Sequence, residues 1–310
     1  MIDISISAVQ QKVIREAYYK RLTDWITKKK LWSRTGNARA NQMMRFVRTY
    51  SKFYFLSPAD QLFLRSGDFD RVYANEKAEY DSKTGISKKR TSYGRFVSRM
   101  REIYNGFMQD ENDTGVKNGY WLMKELGIKV CPYCNRNYTV TIHTKDVKVR
   151  PEFDHFYPEA LHPVLILSFY NLVPSCPQCN HLKKVQVLEV NPWKGYKTGA
   201  RPKFRVDTSK EDFPANPVIN IENSNVNTDK LGIRELYNEH SDYVKDILDK
   251  IQAYNPVTYH AIARDFQGVV HTEADLERMV WGNYTQELDA EKRPLAKLTA
   301  DILEQYKKYL

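Results

Sequence analysis

No apolar run in these 310 residues approaches the roughly 18 that a membrane-crossing helix requires; Val164, Leu165, Ile166 and Leu167 make a stretch of strand length. Glycine and proline are sparse, 13 of each, which excludes a collagen-like or low-complexity chain. The opening residues Met1, Ile2, Asp3, Ile4 and Ser5 lack the charged-then-apolar order of a secretory signal, so a cytoplasmic protein with no membrane partner is expected. What is present is core-forming material. Hydrophobic residues at 42% and aromatics at 13%, with 21 tyrosines, exclude a disordered chain. At roughly 150 residues per domain the length suggests about two domains. Lys and Arg outnumber Asp and Glu by 48 to 38, a net charge of +10. That excess favours polyanionic partners, nucleic acid above all, through phosphate neutralisation and counterion release.

Cysteine is scarce and ordered. All four fall in two Cys-x-x-Cys pairs, Cys131 with Cys134 and Cys176 with Cys179. A reducing compartment disfavours structural disulfides, and two such pairs read as one tetrahedral four-cysteine zinc site. A pair of redox dithiols is the other reading. Four thiolates complete the coordination of zinc and leave no position for water. The zinc is therefore expected to be structural, and any hydrolytic chemistry needs a second, harder metal.

Residues 1 to about 130 read as helical and basic. Ile14, Tyr18, Leu22 and Ile26 recur every four residues as one apolar stripe, and Met43, Val47, Tyr50 and Tyr54 form another. The polar stretch from Asn75 to Arg90 is expected to loop out. A helix over 93–107 would carry Phe96, Met100 and Ile103 on one face, and residues 110–115 are turn-forming. The middle turns to β. Residues 138–143 and 147–150 read as a hairpin, 153–155 and 171–175 as two short strands, and Pro177 as the start of a helix over 178–188. Residues 191–227 read as a linker rich in Pro, Asn and Gly, with one strand at 218–221. Thr228 is expected to cap one helix running to about Tyr254, Thr272 to cap another, and Pro294 to start or kink the last.

The chemistry lies between and just after the cysteine pairs. A neutral imidazole at His155 can deprotonate a water, since its ordinary pKa is about 6.5. Asp154 is a hard oxygen donor suited to Mg²⁺ or Mn²⁺, and Asn180, on the first turn of the expected helix, is a second. Lys183, three residues on and near the same helix face, is within reach of a phosphate. Neighbouring strand residues point to opposite faces, so Asp154 and His155 aim inward together only if the chain bends there. Phe156, Tyr157 and Pro158 mark the expected bend.

This pattern resembles the HNH endonucleases of the ββα-metal class, in the version braced by a four-cysteine zinc site. The matching core runs from Cys131 to about Lys184, less than a fifth of the chain. The resemblance implies that His155 is the general base, that Asp154 and Asn180 bind the catalytic Mg²⁺ or Mn²⁺, and that Asn171 ties down the loop between the strands. Asn180 stands where His is usual, and His181 would point about 100° away on a helix. Residues 131–138 (Cys-Pro-Tyr-Cys-Asn-Arg-Asn-Tyr) and the run from His162 to Pro174 are similar to HNH subunits of bacterial anti-phage systems, the Septu-type and retron-associated ones. That closer likeness implies a co-encoded ATPase partner and a nuclease held inactive until infection is sensed.

The expected fold is α+β and mostly helical. A zinc-braced ββα-metal core (128–195) is flanked by a basic helical N-terminal region (1–127) and by a linker with a helical C-terminal region (196–310). The expected activity is metal-dependent hydrolysis of phosphodiester bonds in DNA or RNA, with structural Zn²⁺ and catalytic Mg²⁺ or Mn²⁺. A non-catalytic zinc-ribbon binding or adaptor subunit is the alternative; it has no chemical need for Asp154, His155 and Asn180 together. Phosphate contacts are expected from Lys88, Lys89, Arg90, Arg95, Arg99 and Arg101 upstream, and from Arg136, Lys183 and Lys184 near the core. A solvated helix face explains the upstream stripe equally well.

Overall fold

The computed structural model describes residues 1–111, 115–197, 199–254, 256–266, 268 and 271–307. Helix α1 (Ala8–Lys28) starts where the Ser7 hydroxyl accepts from the Gln10 amide, and it buries the expected stripe of Ile14, Tyr18, Leu22 and Ile26. There follow α2 (Ala38–Thr49), α3 (Ser51–Phe55), α4 (Leu62–Val72), α5 (Ala74–Asp81), α6 (Gly85–Arg90), α7 (Ser92–Gln109) and α8 (Asn118–Leu126). The polar stretch expected to loop out is instead α5 and α6. Neither buries a residue, so its polarity marked exposure and not irregular backbone. Thr91 caps α7, which buries Phe96, Met100, Ile103 and Phe107. Part of the expected turn at 110–115 lies outside the described residues.

The hairpin of β1 (Ile142–His143) and β2 (Lys148–Val149) is shorter than its β-rich sequence suggests and largely exposed. β3 (Glu152–His155) pairs antiparallel with β4 (Leu172–Ser175), in a register running from Glu152 opposite Ser175 to His155 opposite Leu172. α9 (Pro177–Lys183) follows at once, giving a β–β–α order. It ends five residues before the expected 188, because Lys184 takes a positive φ of 49° that a helix cannot continue.

β5 (Lys203–Asp207), which the sequence reading missed, pairs with β6 (Val218–Glu222). The single helix expected from Thr228 is three: α10 (Val226–Lys230), α11 (Ile233–Asn238) and α12 (Ser241–Ala253). Asn225 is the cap, with Thr228 the reciprocal partner of a capping box, and Gly232 at φ 57° separates the first two. α13 (Pro256–Asp265) and α14 (Glu273–Trp281), the latter capped by Thr272, precede α15 (Ala296–Tyr306). The chain is thus mixed α and β and mostly helical. No helix among the described residues is long and apolar enough to cross a membrane.

Two apolar cores form. The first gathers α1–α4, α7 and α8 with Phe153 and Leu172; the second gathers the four cysteines, β5, β6 and α11–α15 with Phe156 and Val173. Adjacent residues of β4 therefore enter different cores, as strand alternation requires. The β3–β4 ribbon is the wall between them.

Candidate functional site

The four cysteine sulfurs lie within 4.8 Å of one another, all buried and none in a disulfide. A tetrahedral zinc with Zn–S bonds of about 2.3 Å spaces its sulfurs by roughly 3.8 Å. The Cys134 and Cys176 sulfurs are 3.9 Å apart. Sulfur also receives N–H groups: the Arg136 amide at 3.3 Å on Cys134, and the Cys176 amide at 3.4 Å on Cys131. The Asn137 side chain adds a third, at 3.3 Å on Cys176. Such donors favour thiolates, and the cluster can bind a metal ion such as zinc.

The cluster is wired to the β–β–α unit. Tyr133, inside the first cysteine pair, donates its hydroxyl to Asp154 Oδ2 at 2.6 Å. Lys183 Nζ reaches Asp154 Oδ1 at 3.0 Å and the His155 carbonyl at 2.7 Å. One turn earlier on α9, Asn180 Nδ2 donates to Glu152 Oε2 at 2.7 Å. Glu152 and Asp154 share one face of β3, and Asn180 and Lys183 share one face of α9, so the two elements zip together. Lys183 was expected at a phosphate. It is fully buried instead, its charge spent on Asp154. Burial raises the Asp154 carboxyl pKa, against Lys183 and the Tyr133 hydroxyl, and it lowers the Lys183 ammonium.

His155 is on the other face of β3. Its ring meets Tyr104 of α7 edge to face, centroids 4.7 Å apart, and its Nε2 lies 3.0 Å from the Ile166 carbonyl. A carbonyl only accepts, so Nε2 carries the hydrogen and Nδ1 keeps the lone pair. Burial pushes the imidazole down to about 4; the Ile166 carbonyl opposes this, and the Lys183 and Arg101 charges add to it. His155 is neutral at pH 7. The expected bend is not there: the ladder stays in register through His155. Asp154 and His155 meet instead at a groove of about 340 Å³, whose lining includes Arg101, Glu159, Asn180 and Lys184.

Asn171, fully buried, accepts the Tyr157 amide at 2.7 Å and donates to the carbonyls of Tyr157 and Leu165. It ties both ends of the loop between β3 and β4. Arg136 is held away from the groove by His240 Nε2 at 2.9 Å and Gln178 Oε1 at 3.2 Å.

No family model, curated protein or solved structure matches the chain.

Arg101 alone of the upstream stripe lines the groove. Lys88 lies over the Tyr80 ring and Arg95 turns back to the Arg90 carbonyl, while Lys89 and Arg90 are exposed on α6. Arg99 is only 11% exposed and pairs with Glu102 at 2.8 Å, so it is no part of an open cationic face. Tyr133, Glu152 and Glu159 are not among the site residues expected from the sequence. Tyr133 alone carried a local signal, its place between two metal-ligand cysteines.

Proposed function

We propose that this chain is a metal-dependent HNH-type endonuclease acting on nucleic acid. The observation that carries the reading is His155: a neutral imidazole with Nε2–H fixed on a backbone carbonyl, beside a groove that also holds Asn180 and the exposed Lys184. A general base needs that tautomer and that protonation state. In the proposed reaction Nδ1 takes the proton of a water that attacks phosphorus, and Lys184 faces the departing strand's charge.

In this reading Asp154 and Asn180 would hold a hard divalent cation. A carboxylate offers about four lone-pair sites, so Asp154 retains capacity beyond Tyr133 and Lys183. The Asn180 Oδ1 makes no hydrogen bond among the described residues. One or two carboxylates with an amide oxygen suit Mg²⁺ or Mn²⁺. When bound, the ion supplies stabilisation of the charge that develops on the phosphate and leaving oxygen. The cysteine cluster, holding structural zinc, anchors Tyr133 under Asp154. The likeness of residues 131–138 and 162–174 to anti-phage HNH subunits supports a cytoplasmic role in bacterial defence with a co-encoded ATPase.

The test is incubation of the purified protein with plasmid DNA and a tRNA pool, with Mg²⁺ or Mn²⁺ and with EDTA. Cleavage that EDTA abolishes is expected. His155→Ala should lose on the order of 10²-fold or more of it while keeping zinc and melting temperature. A His155→Ala protein that cuts at the wild-type rate would overturn the assignment. Binding without cleavage by the wild type points to the zinc-ribbon adaptor.

A further inference from the structure

We infer that Arg101 of α7 is the phosphate clamp of this groove, and that Glu159 holds its guanidinium in place of phosphate until a substrate enters. The inference rests on the nuclease reading and deepens it. The clamp comes from the N-terminal helices, outside the segment that resembles a nuclease core.

Arg101 and Tyr104 are three residues apart and share a face of α7. Tyr104 packs on the His155 ring, so the same face brings Arg101 to the groove. There the Arg101 Nε is 2.9 Å from Glu159 Oε1, with both side chains more than a third exposed. Glu159 is four residues beyond His155, on the loop that Asn171 ties down. No nitrogen of Arg101 makes a hydrogen bond among the described residues, so Glu159 holds the guanidinium by charge alone. A guanidinium presents a planar fork that matches phosphate bidentately, and an exposed ion pair of this kind contributes little stability.

The other cations near the groove are committed elsewhere, Lys183 to Asp154 and Arg136 to His240 and Gln178, so Arg101 and Lys184 remain. Arg101 alone faces a carboxylate there. A phosphodiester entering beside His155 brings the negative charge that Glu159 now supplies. Glu159 must swing aside, and its charge repels the substrate until it does.

The experiment measures kcat and KM for bis(4-nitrophenyl) phosphate and for plasmid DNA under Mn²⁺, with zinc content and melting temperature for every variant. Arg101→Ala should lower kcat/KM on both diesters, by on the order of 10²-fold. Arg101→Lys should recover part of the KM effect, since a point charge attracts phosphate without the fork. Glu159→Gln should lower KM several-fold in the wild-type background and by clearly less in the Arg101→Ala background, where only the repulsion is relieved. A wild type that hydrolyses neither diester overturns the nuclease reading and this inference together. A wild type that cleaves, with folded Arg101→Ala equally fast, overturns this inference alone. A Glu159→Gln protein with unchanged or raised KM overturns the place-holding role of Glu159.

Discussion

His162 carries an acid sensitivity of its own, away from the His155 groove. Its Nδ1 lies 3.0 Å from the Ser66 hydroxyl, and its ring packs edge-on to Tyr157 and Phe63. Burial pushes its pKa down to about 4, with the Lys77 charge adding to the effect. An unfolded chain restores about 6.5, so between those values the unfolded state binds more protons and stability falls as pH falls. The contribution is complete above about 6.5 and lost as pH drops through about 4. Melting temperatures at pH 7 and pH 4.5 check this: His162→Gln, which keeps a polar partner for Ser66, should lose fewer degrees than the wild type. Equal losses would show that His162 is not the source. At this scale the sequence was legible wherever chemistry is local. The cysteine pairs, Asp154, His155 and Asn180 stand at informative spacings. Arg101 and Glu159 meet only through tertiary packing, which no spacing records. Lys183 was assigned a helix face correctly, but spacing does not say whether that face meets solvent or a strand.

Between β3 and α9 the decisive contact is Lys183 on Asp154, both nearly or fully buried. Removing one member of a buried pair strands the other charge, at a cost of about 3–5 kcal/mol, whereas removing both together is often close to neutral. Lys183→Met should therefore destabilise strongly in urea unfolding, and Asp154→Asn in that background should restore much of the loss. Strictly additive losses would mean the pair contributes no coupling. Apolar periodicity marked α1 and α7, because each buries one clean stripe. It missed α5 and α6, which bury nothing, and β5, whose Phe204 and Val206 alternate within a segment dominated by loop-forming residues. It also fused α10–α12, because Gly232 is the sole glycine between Thr228 and Tyr254 and the apolar spacing runs on past it.

The four-cysteine cluster organises more than its own loop. Tyr237 of α11 donates its hydroxyl to the Cys134 carbonyl. Asn135 accepts from the Leu295 amide at 2.7 Å and the Lys297 amide at 3.0 Å, and donates to the Ala290 carbonyl. The knuckle thus caps the start of α15, and the cysteines belong to the second core. Structural zinc in small sites contributes about 10–16 kcal/mol to folding. Cys176→Ser or chelation should open the C-terminal half to limited proteolysis while α1–α8 stay protected, and elemental analysis of the intact protein should give near one zinc per chain. Uniform digestion along the chain would show that the cores do not separate. The strand between them has a consequence that deuterium would record. Alternate amides of β3 and β4 bond across the ladder, Pro174 having none to offer, and exposing the bonded ones requires both cores to loosen at once. Their exchange therefore waits for global unfolding. The β1–β2 hairpin, lying outside both cores, exchanges through its own small openings. A chain followed in heavy water should label that hairpin first and keep its last protium in the ribbon that carries Asp154 and His155.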